Sequence, residues 1–221
     1  MTEKIDITAE KKILRRNMRN SLSSFFTDWP VAKHVSEKAV AVFLDSELYR
    51  NSEIIFAFLP GKNEIDVTGI ITKALADGKQ AALPRVISGT ADMNFYYIRK
   101  EIPLEVQCTP GAYGIREPGP DTVIVPVSAF PFGAVVIVPG LAFSTGGDRL
   151  GKGKGFYDRY FARVAAAQKT GTAFFPAVRA GCCFSFQIVD RVPSGPFDVS
   201  VTHIITETGI MSCTYRCESA E

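Results

Sequence analysis

The chain has 221 residues, of which 46% are hydrophobic and 22% charged, and a formal net charge of +2. That is enough for one large domain with a sizeable core. The near balance of charge leaves no global field to draw the chain onto nucleic acid or a membrane surface, so any taste for an acidic ligand must be local.

The N-terminal stretch MTEKIDITAEKK has no apolar core and carries acids, which argues against a secretion signal or a typical transit peptide. No run reaches the roughly 18 apolar residues of a membrane span. Residues 8–23 read as a helix, with Thr8 as N-cap and Leu14, Met18 and Leu22 as an apolar stripe. A second helix is expected from 28-DWP-30 to about Asp45, capped by Asp28 with Pro30 in its first turn. The continuous apolar run 53-EIIFAFLP-60 suits a strand buried on both faces. Residues 66–78 then read as a helix ended by Gly78, and 79-KQAALP-84 as a strand. Strand, helix and strand in this span have the size of a βαβ unit. Further strands fit 93-MNFYYI-98, 134-AVVIVP-139, 171-TGTAFF-176, 182-CCFSFQIV-189 and 200-SVTHIIT-206, with a helix at 156–168 among them.

This alternation predicts an α/β fold, a three-layer α/β/α Rossmann-like sandwich with a mostly parallel central sheet. Residues 1–221 are expected to form a single domain. The Pro- and Gly-rich stretch 108–133 reads as a long ordered connection, and the tail after about residue 207 as loosely held. The cysteines are Cys108, Cys182, Cys183, Cys213 and Cys217, with no CxxC pair, and alternate strand faces would part Cys182 from Cys183. Reduced thiols are expected, hence a cytoplasmic location with a mitochondrial one left open.

The segment 146-GGDRLGKGKGFYDRYF-161 lies between a buried strand and a helix. In open α/β sheets ligands bind in that crevice. Free N–H groups at the helix start suit phosphate, and glycines let a backbone approach an anion. Gly146 to Lys152 fits GxxxxGK, but Gly153 follows where a P-loop needs Ser or Thr for magnesium. The GxGxxG pattern begun by Gly151 and Gly153 fails at Phe156. Arg149, Lys152 and Lys154 supply charge for a phosphate loop of another kind. The competing reading is a Gly/Lys turn with no ligand. Asp158 is favourable on a first helical turn for its own sake, and is also the kind of carboxylate that takes magnesium beside a polyphosphate.

Two other groups stand out. In 11-KKILRRNMR-19 five of nine residues are basic, which fits either a solvated helix face or contacts to an anion. In 59-LPGKNEID-66, one of Glu64 and Asp66 can cap the following helix and leave the other for donors of a heterocyclic ligand. The only histidines, His34 and His203, adjoin neither a Cys pair nor a GxSxG motif, so a zinc site or a Ser-His-Asp triad is not expected.

The stretch 137-IVPGLAFSTGGDRLGKGKGFYDRY-160 combines a strand end, a G-x-R-L-G turn and a G-x-G-x-G-[FY]-Y-D helix start. Lys11-x-x-Leu14-Arg15, the segment from Leu59 to Glu64, 113-YGIREP-118, and an ending with Gln187, Pro193, Asp198 and 206-TE-207 accompany it in order. With these motifs, over about residues 11–207, the sequence resembles the 5-formyltetrahydrofolate cyclo-ligase family, also called 5,10-methenyltetrahydrofolate synthetases. The resemblance implies an ATP- and Mg²⁺-dependent closure of 5-formyltetrahydrofolate to 5,10-methenyltetrahydrofolate through a phosphorylated formyl group, with release of ADP and phosphate. It implies that Lys11, Arg15 and the loop Arg149, Leu150, Gly151, Lys152, Gly153, Lys154, Gly155, Phe156 and Tyr157 bind ATP. Arg149, Lys152 and Lys154 would be the catalytic cations. Leu59, Glu64 and residues Lys152, Gly153, Lys154, Gly155 and Phe156 would bind the folate, and Asp158 and Asp198 would hold magnesium. A monomer acting on small molecules, without nucleic acid or membrane, is expected.

There are departures from the family pattern. Phe156 stands where many members have tyrosine, Phe197 where many have histidine, and Lys154 where glycine is common in bacterial members. The alternatives are a sugar-phosphate isomerase-like enzyme and a non-catalytic nucleotide- or folate-binding relative.

Overall fold

The computed structural model describes residues 6–168 and 178–214. The strand expected over 171–176 and Cys217 lie outside them. Helix α1 (Ile7–Phe25) opens the chain. Its cap is Asp6 rather than Thr8: the Asp6 carboxylate accepts the amides of Thr8 at 2.9 Å and Ala9 at 3.2 Å, and Thr8 already lies in the first turn. Helix α2 (Trp29–Leu44) starts as expected, with Asp28 accepting the Val31 amide at 3.2 Å. A single turn, α3 (Glu47–Arg50), leads to strand β1 (Ile54–Phe56). Helix α4 (Thr68–Ala76) and strand β2 (Gln80–Val86) complete the first βαβ unit, and β3 (Met93–Ile98) runs back beside β2.

The long connection holds a one-turn α5 (Leu104–Gln107) and a hairpin of β4 (Cys108–Pro110) and β5 (Arg116–Pro118). Strand β6 (Ala134–Val138) then enters the core. A small hairpin, β7 (Ala142–Phe143) and β8 (Arg149–Leu150), precedes α6 (Phe156–Gln168). Strands β9 (Val178–Cys182), β10 (His203–Thr206) and β11 (Gly209–Ser212) finish the sheet.

The expected strand at 182–189 is corrected: the strand ends at Cys182, and a short 3-10 turn spans Ser185–Gln187. The run is apolar because it is buried, not because it is extended. The Gln187 side chain accepts the Phe184 amide at 2.9 Å and donates to the carbonyls of Gly140 and Leu141, both at 3.0 Å. Buried backbone that a sheet would otherwise satisfy is thereby paired. Within the tail, β11 pairs antiparallel with β10, residue 209 to 212 against 203 to 206.

The seven-stranded sheet has the order β11-β10-β9-β6-β1-β2-β3. Neighbours from β10 to β2 are parallel, and both edge strands are antiparallel. One face carries Ile55, Val135, Ile137 and Cys182 against Met18, Leu22, Phe43, Ile70 and Ile71 of α1, α2 and α4. The other carries Ile54, Phe56, Val136 and Val138 against Tyr157, Tyr160, Phe161 and Val164 of α6, with Phe130 of the long connection. These are the three layers of the α/β/α sandwich. Cys182 and Cys183 fall in opposite layers, and all four described cysteines are free and buried. Among the described residues no helix is long and apolar enough to cross a membrane.

Candidate functional site

From β1 the chain moves to β2 on one side of the sheet, and from β6 to β9 on the other. The carboxyl ends of β1 and β6 therefore mark a topological switch point, where α/β sheets open a crevice. A cleft of about 930 Å³ lies there. Its walls carry eight basic side chains, among them Lys11, Arg15, Arg19, Arg149, Lys152 and Lys154, against four acidic ones, Glu64, Glu117, Asp158 and Asp198. The near-neutral chain thus concentrates positive charge at one place. Every residue from Arg149 to Asp158 lines this cleft, as do Lys11, Arg15, Leu59, Glu64 and Asp198. All the expected site residues meet here.

The basic run on α1 is not a solvated face throughout. Lys11, Arg15 and Arg19 recur every fourth residue and face the cleft, while Met18 and Leu22 enter the core. Arg15 Nε donates to the Gly151 carbonyl at 3.0 Å, and Arg19 Nη2 to the Lys152 carbonyl at 3.1 Å. From the other side, Arg159 Nη2 donates to the Lys154 carbonyl at 2.7 Å. Three arginines on two helices therefore hold three loop carbonyls. The amides from Lys152 to Phe156 donate no hydrogen bond among the described residues. Gly153, at φ +103°, takes a conformation that side chains resist. The outcome is a run of free amides at a helix start, ringed by cations, which is an anion-binding arrangement. Burial and the neighbouring Arg19 push the Arg15 guanidinium down from its ordinary value, partly offset by Asp198. An anion in the cleft would relieve that repulsion.

Arg149 is the deepest cation, its side chain 4% exposed. It pairs with Asp158 Oδ1 at 2.7 Å and donates to the Pro139 carbonyl at 3.3 Å. Its buried Nε, and the buried Tyr157 hydroxyl beneath it, have no partner among the described residues. Burial pushes the Tyr157 phenol well above its ordinary value, with Glu64 adding to the shift, so at neutral pH it keeps its proton to donate. Orphaned buried donors cost about 1–3 kcal/mol each unless a ligand meets them.

Glu64 accepts the Gly61 amide at 2.8 Å and Lys152 Nζ at 2.9 Å. Asp66, one residue before the Val67 N-cap of α4, accepts the Thr68 amide at 2.9 Å. The pair thus divides as the sequence allowed, with Glu64 left to the cleft. Asp198 accepts the Gly195 amide at 2.6 Å and pairs with Lys11 through the same oxygen, Oδ2. The next residue, Val199, donates its amide to Asp158 Oδ1 at 3.1 Å, which brings the two carboxylates to one rim. The other oxygen of each carboxylate makes no hydrogen bond among the described residues. No group of three or more metal-ligating side chains occurs among those residues. Two carboxylates fit magnesium all the same, because that ion keeps waters and takes phosphate oxygens rather than a full protein cage.

Opposite the loop, Tyr113 holds a left-handed backbone at φ 59°, with its ring 6.0 Å from Phe156 and Lys154 Nζ 5.6 Å above it. Sequence reasoning placed Arg19 in the basic run 11–19 and Tyr113 at the head of 113-YGIREP-118 without giving either a role, and did not single out Arg159. The fourfold spacing after Lys11 and Arg15 pointed to Arg19. No local signal marks Arg159. Phe197, where the family pattern has histidine, is 88% exposed and does not line the cleft.

The family model described as the 5-formyltetrahydrofolate cyclo-ligase family matches residues 7–207. A probable 5-formyltetrahydrofolate cyclo-ligase from Caenorhabditis elegans is 26% identical over 89% of this chain and 92% of its own length. A 5-formyltetrahydrofolate cyclo-ligase from Mus musculus is 25% identical, covering 92% of this chain and 96% of its own. The NMR structure of a 5,10-methenyltetrahydrofolate synthetase from Aquifex aeolicus superposes with a TM-score of 0.71 at 26% identity, over 96% of both chains.

Proposed function

The chain belongs to the 5-formyltetrahydrofolate cyclo-ligase family, and from that premise we propose how its cleft carries out the reaction. Its activity is the closure of 5-formyltetrahydrofolate to 5,10-methenyltetrahydrofolate. The observation that carries our account is the loop from Gly151 to Phe156, with three of its carbonyls held by arginines and its amides free among the described residues.

ATP is the co-substrate, and its phosphates lie on that loop between Lys11, Arg15 and Arg149. The folate occupies the wall formed by Leu59, Glu64 and Phe156, so that its formyl group meets the γ-phosphate near Lys152 and Lys154. Glu64, a buried acceptor, suits the N–H groups of the pterin. The formyl oxygen attacks the γ-phosphorus, the bond to the bridging oxygen breaks, and ADP leaves. N10 of the folate then attacks the activated formyl carbon and gives up its proton. The carbon–oxygen bond breaks and phosphate leaves. The folate brings its own nucleophile, so the protein's task is positioning and charge neutralisation. Arg149, Lys152 and Lys154 neutralise charge as it moves from ATP to the formyl oxygen. Asp158 and Asp198 would hold magnesium, which supplies further neutralisation of the phosphates. We take the protein to work as a single-domain monomer in the cytoplasm.

The test is direct. Protein, 5-formyltetrahydrofolate, ATP and Mg²⁺ are mixed and methenyltetrahydrofolate is followed by its absorbance. Product should form only when ATP and the metal are both present. Product without ATP would overturn the phosphoryl-transfer account, and no product at any enzyme level would overturn the activity.

A further inference from the structure

We propose that Arg159 is a positioning residue that sets the affinity of the cleft for the folate by fixing the far end of the glycine loop. This rests on the cyclo-ligase reading of the same cleft. Arg159 is not among the residues that line the cleft, whereas Lys154, Gly155 and Phe156 are. Its guanidinium nevertheless touches each of those three. It donates to the Lys154 carbonyl at 2.7 Å and lies 5.7 Å from the centre of the Phe156 ring. At Gly155 a Cβ would come within 2.8 Å of Nη1, so the missing side chain is what lets the guanidinium fold back over the loop. The same Nη2 also donates to the Ala91 carbonyl, and Nε donates to Asp92 at 3.3 Å, which ties the loop to the turn between β2 and β3.

The two ends of the loop therefore answer to different helices. Arg15 and Arg19 of α1 hold Gly151 and Lys152, next to the phosphate-binding cations. Arg159 of α6 holds the end that faces Tyr113, where Phe156 and Lys154 lie beside the Tyr113 ring and the two aromatic rings are tilted by 57°. The pterin ring is the part of the substrates that would meet these aromatic side chains. Removing Arg159 loosens the end beside these rings, the amides of residues 154–156 included, and leaves the Arg15 and Arg19 contacts at Gly151 and Lys152 in place. One turn further along α6, Arg163 donates to Asn94 at 3.1 Å and to the Met93 carbonyl, so the helix stays docked on β3 without Arg159.

The experiment compares wild type, Arg159→Ala and Arg159→Lys. The Ala variant should raise KM for 5-formyltetrahydrofolate about tenfold, the loss of one charge-assisted hydrogen bond. KM for ATP should rise less than KM for the folate, the melting temperature should stay near wild type, and Lys should recover part of the folate KM. In the ligand-free protein, backbone NMR order parameters at residues 154–156 should fall from about 0.85 to below about 0.6, while those at 151 and 152 hold. Unchanged order parameters, an unchanged folate KM, or equal rises in both KM values with a lower melting temperature would overturn the proposal. The order parameters need no substrate. An inactive wild type would thus count against the cyclo-ligase reading, and the positioning role would still be decided.

Discussion

Strand β6 and the glycine loop that follows it stand one short hairpin apart and are built on opposite terms. In β6 all five side chains are buried and alternate between the two core layers. Its backbone pairs with β1 on one edge and β9 on the other. In the loop from Gly151 to Gly155 there is no apolar side chain, arginines from two helices take three of the carbonyls, and the amides are free among the described residues. The strand satisfies itself, while the loop leaves its amides without partners among the described residues. Damage to the first should appear in stability, and damage to the second in kinetics.

The largest expected effect tests the strand. Ile137 is fully buried, and Ile137→Ala should lower unfolding free energy by about 2–5 kcal/mol. The folded fraction should keep wild-type KM values in denaturant-free assays, and a selective rise in either KM would break the division. Next comes Asp158→Asn, which keeps an acceptor for Arg149 and the Val199 amide but removes the charge. Turnover should fall about a hundredfold, with the half-saturating Mg²⁺ concentration raised at least about tenfold. An unchanged magnesium dependence would reduce Asp158 to a partner of Arg149. Arg19→Ala sharpens the comparison from the loop side, because Arg19 is exposed and holds one carbonyl. KM for ATP should rise about tenfold, with a melting temperature within a few degrees of wild type. A wild-type KM would leave that end of the loop to Arg15 alone.

The smallest effect belongs to the core. Burial pushes the Cys182 thiol up to about 12 and the Cys213 thiol to about 11, from an ordinary value near 9. The folded state therefore holds these protons longer than the unfolded chain. The stability they contribute is complete below about pH 9 and is lost as pH rises from there through 11 and 12. Urea midpoints should decline between pH 8 and pH 10, and a flat profile would contradict the burial of these thiols.

Most of this division was legible in the sequence. The continuous apolar run 134–139 and the glycine- and lysine-rich stretch after it differ in composition alone, and the switch-point rule placed the second at a ligand crevice. What composition could not show was how the loop is held. The Arg15–Gly151 and Arg19–Lys152 contacts join residues more than 130 positions apart, and the Lys11–Asp198 pair spans 187. Such pairings are set by how α1 crosses the sheet, not by any local pattern. The strand expected at 182–189 failed for a related reason. Apolar composition reports burial, and Gln187 supplies the hydrogen bonds that let a turn be buried in place of a strand. Near Thr8 the error was one of competition, because a stronger acceptor, Asp6, stood two residues earlier.

The central claim is that the free amides from Lys152 to Phe156 receive the phosphates of ATP. An amide NMR titration of the ligand-free protein with Mg-ATP reads this residue by residue. The account predicts that the largest shifts fall on residues 152–156, with Arg15 and Arg19 side-chain signals moving alongside and β6 nearly still. Saturable ATP binding whose shifts cluster elsewhere, with the loop amides unmoved, would contradict it.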